Sequence, residues 1–369
     1  MTNFLKYVTG VSFILLTSCA TGKIANTVNV TQLPEGTLAP TNALTYTLPK
    51  TVLQVEVEAE QMVCKAGPFY NYAEQYLNIN TPIIENKIIW QIKSITVHSF
   101  GVADKSKTFA ISATGDASAQ YVTLAQNGVL KGINLPLEQP ATQTSEEIIN
   151  NELTLADVTF DSVPLLEKQL KTTSLAMMAE STANHIYKLR KRQIKLLGFE
   201  YEHHPTDATT LETTLAELKK RELIFTQMFT GKCVKQTIKK KYLIVPDSMS
   251  TTNAVLFGFS AEHGFVEKND VNGTPISFKY TPTAKKPKIS ISAEKKTETK
   301  QGIYYCMPAQ IELEIYSDNQ SYFTNSFFIG QLGTLANLPA SAVTRSNISL
   351  ELDSATGALI RLNTIEPKH

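Results

Sequence analysis

From Thr51 onward apolar and polar positions alternate strictly, with Leu53, Val55, Val57 and Ala59 on one side and Gln54, Glu56, Glu58 and Glu60 on the other. Successive strand side chains point to opposite faces, so the pattern predicts a strand with one buried face. A Gly67-Pro68 turn then opens a short helix near 73–77, and Ile88 to Val97, which holds the single tryptophan Trp90, is a second strand. Tyr121 to Leu124 and Val129 to Ile133 flank Asn127-Gly128, a dipeptide that accepts the positive backbone angles of a tight hairpin turn. In the centre of the chain the period changes. Leu175, Met178, Ile186, Leu189, Leu196 and Leu197 recur at helical spacing and Gly198 stops the run, predicting a helix over 173–197. A second helix starts after Pro205 with Asp207 as its cap, carries Leu211, Leu215, Leu218, Phe225 and Phe229, and ends at Gly231. Two amphipathic helices with a short connection bury their stripes by folding back on each other, so an antiparallel helical hairpin is expected. Strands return at 234–245, 254–260, 309–315 and 323–330, and in a closing pair at 348–352 and 358–362.

The fold class that follows is α+β: two strand-rich, antiparallel-sheet units with a central antiparallel helical hairpin. The expected boundaries are 1–18 for a signal peptide, 19–43 for a lipidated tether, 44–135 for a first β-rich domain, 136–172 for a linker, 173–231 for the hairpin and 232–369 for a second β-rich domain. Gln54-Val55-Glu56-Val57-Glu58 resembles Gln310-Ile311-Glu312-Leu313-Glu314, and Gln126 to Leu130 resembles Gln331 to Leu335. Alternating strands resemble one another by chemistry alone, so the echo is weak support for duplication.

The N-terminal residues set the compartment. Lys6, the apolar stretch Val8 to Leu16 and then small residues have the layout of an export signal, and the stretch is shorter than the roughly 20 apolar residues a membrane span takes. Leu16-Thr17-Ser18-Cys19 resembles the bacterial lipobox, which implies an acyl chain on Cys19 and a membrane partner reached through it. No aspartate follows Cys19, which by resemblance to known sorting rules favours an outer-membrane location, with the face left open. Residues 20–43 are polar, with Pro34, Gly36 and Pro40, as in an extended tether. Lysine plus arginine number 35 against 34 aspartate plus glutamate, and losing Lys6 with the signal leaves 34 of each. A neutral chain carries no electrostatic footprint for nucleic acid. Cys64, Cys233 and Cys306 then remain, allowing one disulfide at most with one thiol over, or three small buried side chains.

Candidate chemistry is sparse. Glu202, His203, His204 and Asp207, in the connection between the helices, combine imidazole and carboxylate as a metal site would. Adjacent histidines usually point apart, however, and no His-Glu-x-x-His spacing is present. Phe69, Tyr70, Tyr72 and Tyr76 could form a stacking surface for a ligand such as a glycan, although Phe69, Tyr72 and Tyr76 share one helical face and suit core packing. Ser292-Ala293-Glu294-Lys295 and Ser317-Asp318-Asn319 match two motifs of penicillin-recognising enzymes, but no Lys-Thr-Gly follows. No catalytic residue and no cofactor is nominated.

The runs Leu48 to Leu53 and Lys65 to Tyr70, the Asn127-Gly128 hairpin ending Ile133-Asn134, and the helix end Glu222 to Lys232 together resemble the domain of unknown function 4831 family. The resemblance covers nearly the whole mature chain and implies an envelope lipoprotein of Bacteroidetes, with no activity attached. The function expected is a non-catalytic module that binds or scaffolds an envelope protein or glycan. An envelope hydrolase or metal-dependent enzyme using the 200–207 loop is the alternative.

Overall fold

The computed structural model of the chain describes residues 27–41, 43–114, 122–135, 151–164, 166, 174–198, 200, 207–283, 302–318, 320–339 and 348–364. The described residues form thirteen strands and three α-helices: β1 (Thr27–Leu33), β2 (Ala43–Lys65), α1 (Ala73–Leu77), β3 (Lys87–Thr114), β4 (Val122–Leu124), β5 (Leu130–Ile133), α2 (Leu175–Leu197), α3 (Ala208–Thr230), β6 (Lys232–Ile244), β7 (Thr251–Ser260), β8 (Gly264–Val266), β9 (Thr274–Pro282), β10 (Gly302–Ser317), β11 (Gln320–Pro339), β12 (Ile348–Leu352) and β13 (Leu359–Thr364). The protein is α+β. Its strands form antiparallel sheets of order β1-β3-β2-β6, β11-β10-β9-β7-β8 and β13-β12-β5-β4.

β2 is the spine of the molecule. It runs for 23 residues, and its alternation changes phase across 48–53, so successive stretches meet different partners. Tyr46 and Leu48 pack with Phe109, Leu130, Ile303 and Leu350 under the third sheet. Leu53, Val55 and Val57 pack with Ile311, Leu313, Ile315 and Phe257 of the second sheet. Ala59 meets Trp90 and Ile238. Just past the strand's end, Phe69 enters the helical core with Ala179, Ile186, Phe225 and Phe229. Burying one such aliphatic or aromatic side chain stabilises by about 1.5–3 kcal/mol, so this one strand ties every core together.

Three sheets converge on Thr51, which is fully buried. Its hydroxyl donates to the Ala355 carbonyl at 2.8 Å and accepts from the Gly330 N–H at 2.9 Å. Its backbone is bracketed by Gln331, whose Oε1 accepts from the Thr51 N–H at 2.8 Å while its Nε2 donates to the Thr51 carbonyl at 2.9 Å. The turn Asp353 to Gly357 lies against this junction so closely that a Cβ on Gly101 would come within 2.0 Å of the Ser354 carbonyl oxygen, and one on Gly330 within 2.3 Å of that of Thr356.

The helical hairpin is antiparallel as its two stripes require. Asp207 caps α3 by accepting from the Thr210 N–H at 2.7 Å, and Arg190 of α2 meets Glu222 of α3 at 2.6 Å. The hairpin is fastened to the end of β2: the Phe69 N–H donates to the Met228 carbonyl at 2.9 Å and the Ile83 N–H to that of Thr230 at 2.9 Å.

Several expectations change. Residues 27–33, assigned to the tether, form β1, which pairs with β3 along seven positions and contributes the half-buried Val30 and the buried Leu33. The stretch 151–164 of the expected linker is packed: Val158 and Val163 are buried, and Gln61 acts as a surrogate strand edge, exchanging two 2.8 Å bonds with the backbone of Leu153. β8 and β9 add strands where the sequence pattern named none. The two strand-rich stretches follow one another in the chain but interleave in space, since β6 pairs with β2 over 13 positions and β12 with β5. Sequence alternation tells that a face is buried, not which strand lies alongside.

Candidate functional site

β6 is an edge strand of the first sheet, hydrogen-bonded on one side to β2 and on the other to no described strand. Its inner positions are Ile238, Lys240, Tyr242 and Ile244, and its outer positions Lys239, Lys241 and Leu243. Beneath its free edge runs β7, where a register shift between Val255 and Phe257 turns the consecutive residues Leu256 and Phe257 both inward. The result is an open recess of 430 Å³ lined by Tyr242, Leu243, Leu256, Phe257, Val266, Glu267, Lys268 and Asn269, a volume within the range of ligand sites. Tyr242 and Phe257 stack at 4.7 Å to form its floor, and burial pushes the Tyr242 hydroxyl up to about 12, so it is a neutral donor at physiological pH. Beside it Lys240 lies 4.7 Å above the Phe265 ring, a cation–π contact that keeps an inward-pointing ammonium compatible with the core edge. The rim residues Glu267, Lys268 and Asn269 are exposed. The polar groups of the lining are the Tyr242 hydroxyl, Glu267, Lys268 and Asn269, beside the stacking surface of Tyr242 and Phe257.

On the outer face of the same strands runs an ionic ladder. Lys239 bridges Glu58 at 2.5 Å and Glu56 at 3.3 Å, Lys241 lies 3.8 Å from Glu56, and Lys235 and Lys93 flank Glu60 at 3.1 and 3.4 Å. The hydrogen bond from Lys239, then that from Ser94, holds the Glu58 carboxyl below the usual carboxylate range, and the same contact raises the Lys239 ammonium. At the end of this face Cys64 and Cys233, directly opposite in the β2–β6 ladder, form a disulfide, while Cys306 stays free and buried, its thiol pushed up by desolvation.

Of the aromatic residues nominated from sequence, Phe69, Tyr72 and Tyr76 pack together on the helical core. Phe69 is buried against Phe229, with ring centroids 5.5 Å apart, and presents no ring to a ligand. Tyr72 and Tyr76, 6.0 Å apart and half-buried, pack on the helical core, and the Tyr76 carbonyl accepts from the Tyr187 hydroxyl at 2.7 Å. Tyr70 is half-buried on the short turn before α1. Glu202, His203 and His204 lie outside the described residues, as do Cys19 and the 292–295 motif. The Asp207 carboxylate is engaged in capping α3, which lowers its pKa, and Ser317 closes the β10–β11 hairpin opposite Gln320. Among the described residues no group of three or more histidine, cysteine or acidic side chains could hold a metal ion.

The architecture can be compared with known proteins on this basis. The domain of unknown function DUF4831 matches residues 42–360, from the start of β2 into β13. The chain belongs to the DUF4831 family. The match takes in the helical hairpin and all three sheets except β1 and most of β13, so the β6 recess and the disulfide both fall inside the DUF4831 region. No curated protein and no solved structure matches the chain. The recess escaped sequence reasoning because its walls come from three separate segments. The run Phe257-Gly258-Phe259 with Phe265 was the one available signal, an aromatic density higher than a plain strand needs.

Proposed function

We propose that this DUF4831 protein is a lipid-anchored component of the bacterial cell envelope that binds or scaffolds another envelope component and carries out no catalysis. The observation that carries this is the Cys64–Cys233 disulfide, which closes a separation of 169 residues between adjacent strands. Structural disulfides persist in oxidising compartments and are rare where thiols are kept reduced, so the bond agrees with the export layout of residues 1–19. The lipobox-like Leu16 to Cys19 supplies the anchor, and the absence of aspartate after Cys19 favours the outer membrane. The β6 recess, apolar at its floor and polar at its rim, supplies a binding surface.

Membrane fractionation with intact-mass analysis of the wild type and Cys19→Ala tests the anchor. The wild type should sediment with membranes, begin at Cys19 and carry acyl mass, while the variant stays unprocessed or soluble. A soluble, unacylated wild type would overturn the proposal. Affinity capture of the tethered form should then return envelope proteins or glycan, and turnover of a hydrolase substrate or a stoichiometric bound metal would replace scaffolding with the enzymatic alternative.

A further inference from the structure

We infer that the free edge of β6, with the recess beneath it, is a docking site for an extended peptide whose acidic and apolar residues alternate, taken up as an added strand of the first sheet. The inference rests on the binding role proposed above and names the partner's chemistry. The occupant is read from β6's existing neighbour. β2 lies on one side of β6 with Glu56 and Glu58 opposite Lys241 and Lys239, Glu60 reached diagonally by Lys235, and Val55 and Val57 opposite Tyr242 and Lys240. The three ammonium groups are paired with carboxylates of β2, yet their side chains remain 41–58% exposed to solvent. A second acidic strand on the other side of β6 would set every lysine between two carboxylates. Its alternate, apolar side chains would descend at the level of Tyr242 into the 430 Å³ recess, against Leu256, Phe257 and Val266. Main-chain pairing along an edge supplies affinity, and pockets for alternate side chains supply specificity.

A lysine row on an edge strand repels basic strands and makes pairing with an apolar one costly through desolvation of its ammonium groups, which guards against indiscriminate pairing. The same row therefore makes the edge selective rather than closed. Among the described strands, those with the acidic alternation, β2 and β10, are each paired on both sides, so neither is the occupant supplied by a second copy.

The probe is a synthetic, terminally blocked peptide carrying residues 53–60, titrated into the full mature chain in detergent and followed by anisotropy and amide chemical shifts. Saturable binding is expected, with shifts confined to 238–245, 256–257 and 266–269. Replacing the peptide's three glutamates by glutamine should weaken binding by about tenfold, as should Lys239→Gln combined with Lys241→Gln in the protein. Replacing the central valine of the peptide by proline should abolish binding by blocking main-chain pairing. The peptide variants leave the protein unaltered, so misfolding cannot mimic their effects. No saturable binding, equal binding of the glutamate and glutamine peptides, or shifts centred on another edge would each overturn the inference. Because the anchor is read by fractionation and mass, failure here is distinguishable from failure of the envelope proposal.

Discussion

The long hairpins β2–β3 and β10–β11 repeat one design in two settings. Each has a proline where its register shifts: Pro49 follows the slip after Thr47, and Pro308 is the residue skipped between Met307 and Ala309. Proline has no N–H to give a ladder, so a bulge is where it fits. Each long hairpin leads into a short one, β4–β5 or β12–β13, whose turn glycine carbonyl accepts a bond from the first long strand: Thr47 N–H to Gly128, and Cys306 N–H to Gly357. Past the proline each strand carries its Gln-x-Glu-x-Glu run, and the last acid of each pairs with a lysine on the flanking strand, Glu58 with Lys239 and Glu314 with Lys279. The settings differ at the edges. β3 is covered by β1 and β2 by β6, which is locked by a disulfide, whereas no described strand lies beyond β11, where Phe328 and Leu335 are exposed. The same motif serves as an enclosed spine in one place and as an outer wall in the other, so a residue's importance follows its embedding more than its place in the motif.

The widest separation expected is between core and open edge. Leu53→Ala in the first hairpin and Ile311→Ala in the second should each cost about 2–5 kcal/mol in chemical denaturation, since both are fully buried. Phe328→Ala on the outer wall should stay within about 0.5 kcal/mol. Equal losses at all three positions would show the β11 edge to be covered. Next comes the junction of the sheets. Thr51→Val keeps the shape but strands the Ala355 carbonyl and the Gly330 N–H, and a loss of about 2–4 kcal/mol is expected in the same assay. Cys64→Ser with Cys233→Ser should lower stability by about 2–4 kcal/mol relative to the oxidised wild type, and reduction of the wild type should reproduce it. No counterpart exists on β10–β11, where Cys306 is single. The smallest effect concerns the ladders. The Glu58 and Glu314 carboxyls are both held below the usual carboxylate range, chiefly by hydrogen bonds from Lys239 and Lys279. A depressed acid contributes stability that is present above its unfolded pKa and lost as the pH falls through its folded one. Melting temperatures should therefore decline below about pH 4.5, and Lys239→Gln and Lys279→Gln should each flatten that decline slightly and equally. A decline unchanged in both variants would remove the ladders from the account of acid sensitivity.

Much of the fold was legible in the chain because it is written locally. The alternation at 53–60, the Asn127-Gly128 turn, the Asp207 cap and the Gly231 stop each appear where the sequence placed them. The echo was half legible: 54–58 and 310–314 fall at matching places on β2 and β10, but 126–130 is a hairpin turn while 331–335 runs along β11. β1 was lost to its polar composition, with Thr27, Asn29, Thr31 and Gln32 against Val28, Val30 and Leu33. The candidate site was not legible at all. Leu256 and Phe257 look like one in-facing and one out-facing residue until the register shift turns both inward, and Phe69, nominated for a ligand, is drawn into the helical core by Phe229.

The sequence by itself determined the classes of element, their order, the turn and cap positions and the even balance of charge, since each depends on neighbours a few residues apart. Only the tertiary structure decided that β6 lies against β2, that Cys233 and not Cys306 meets Cys64, that a glutamine anchors the segment after residue 151, and that a recess opens under a lysine-lined edge. Those outcomes depend on pairing between segments far apart in the chain. Alternation leaves such pairing open, because any strand with one apolar face satisfies the same local rule.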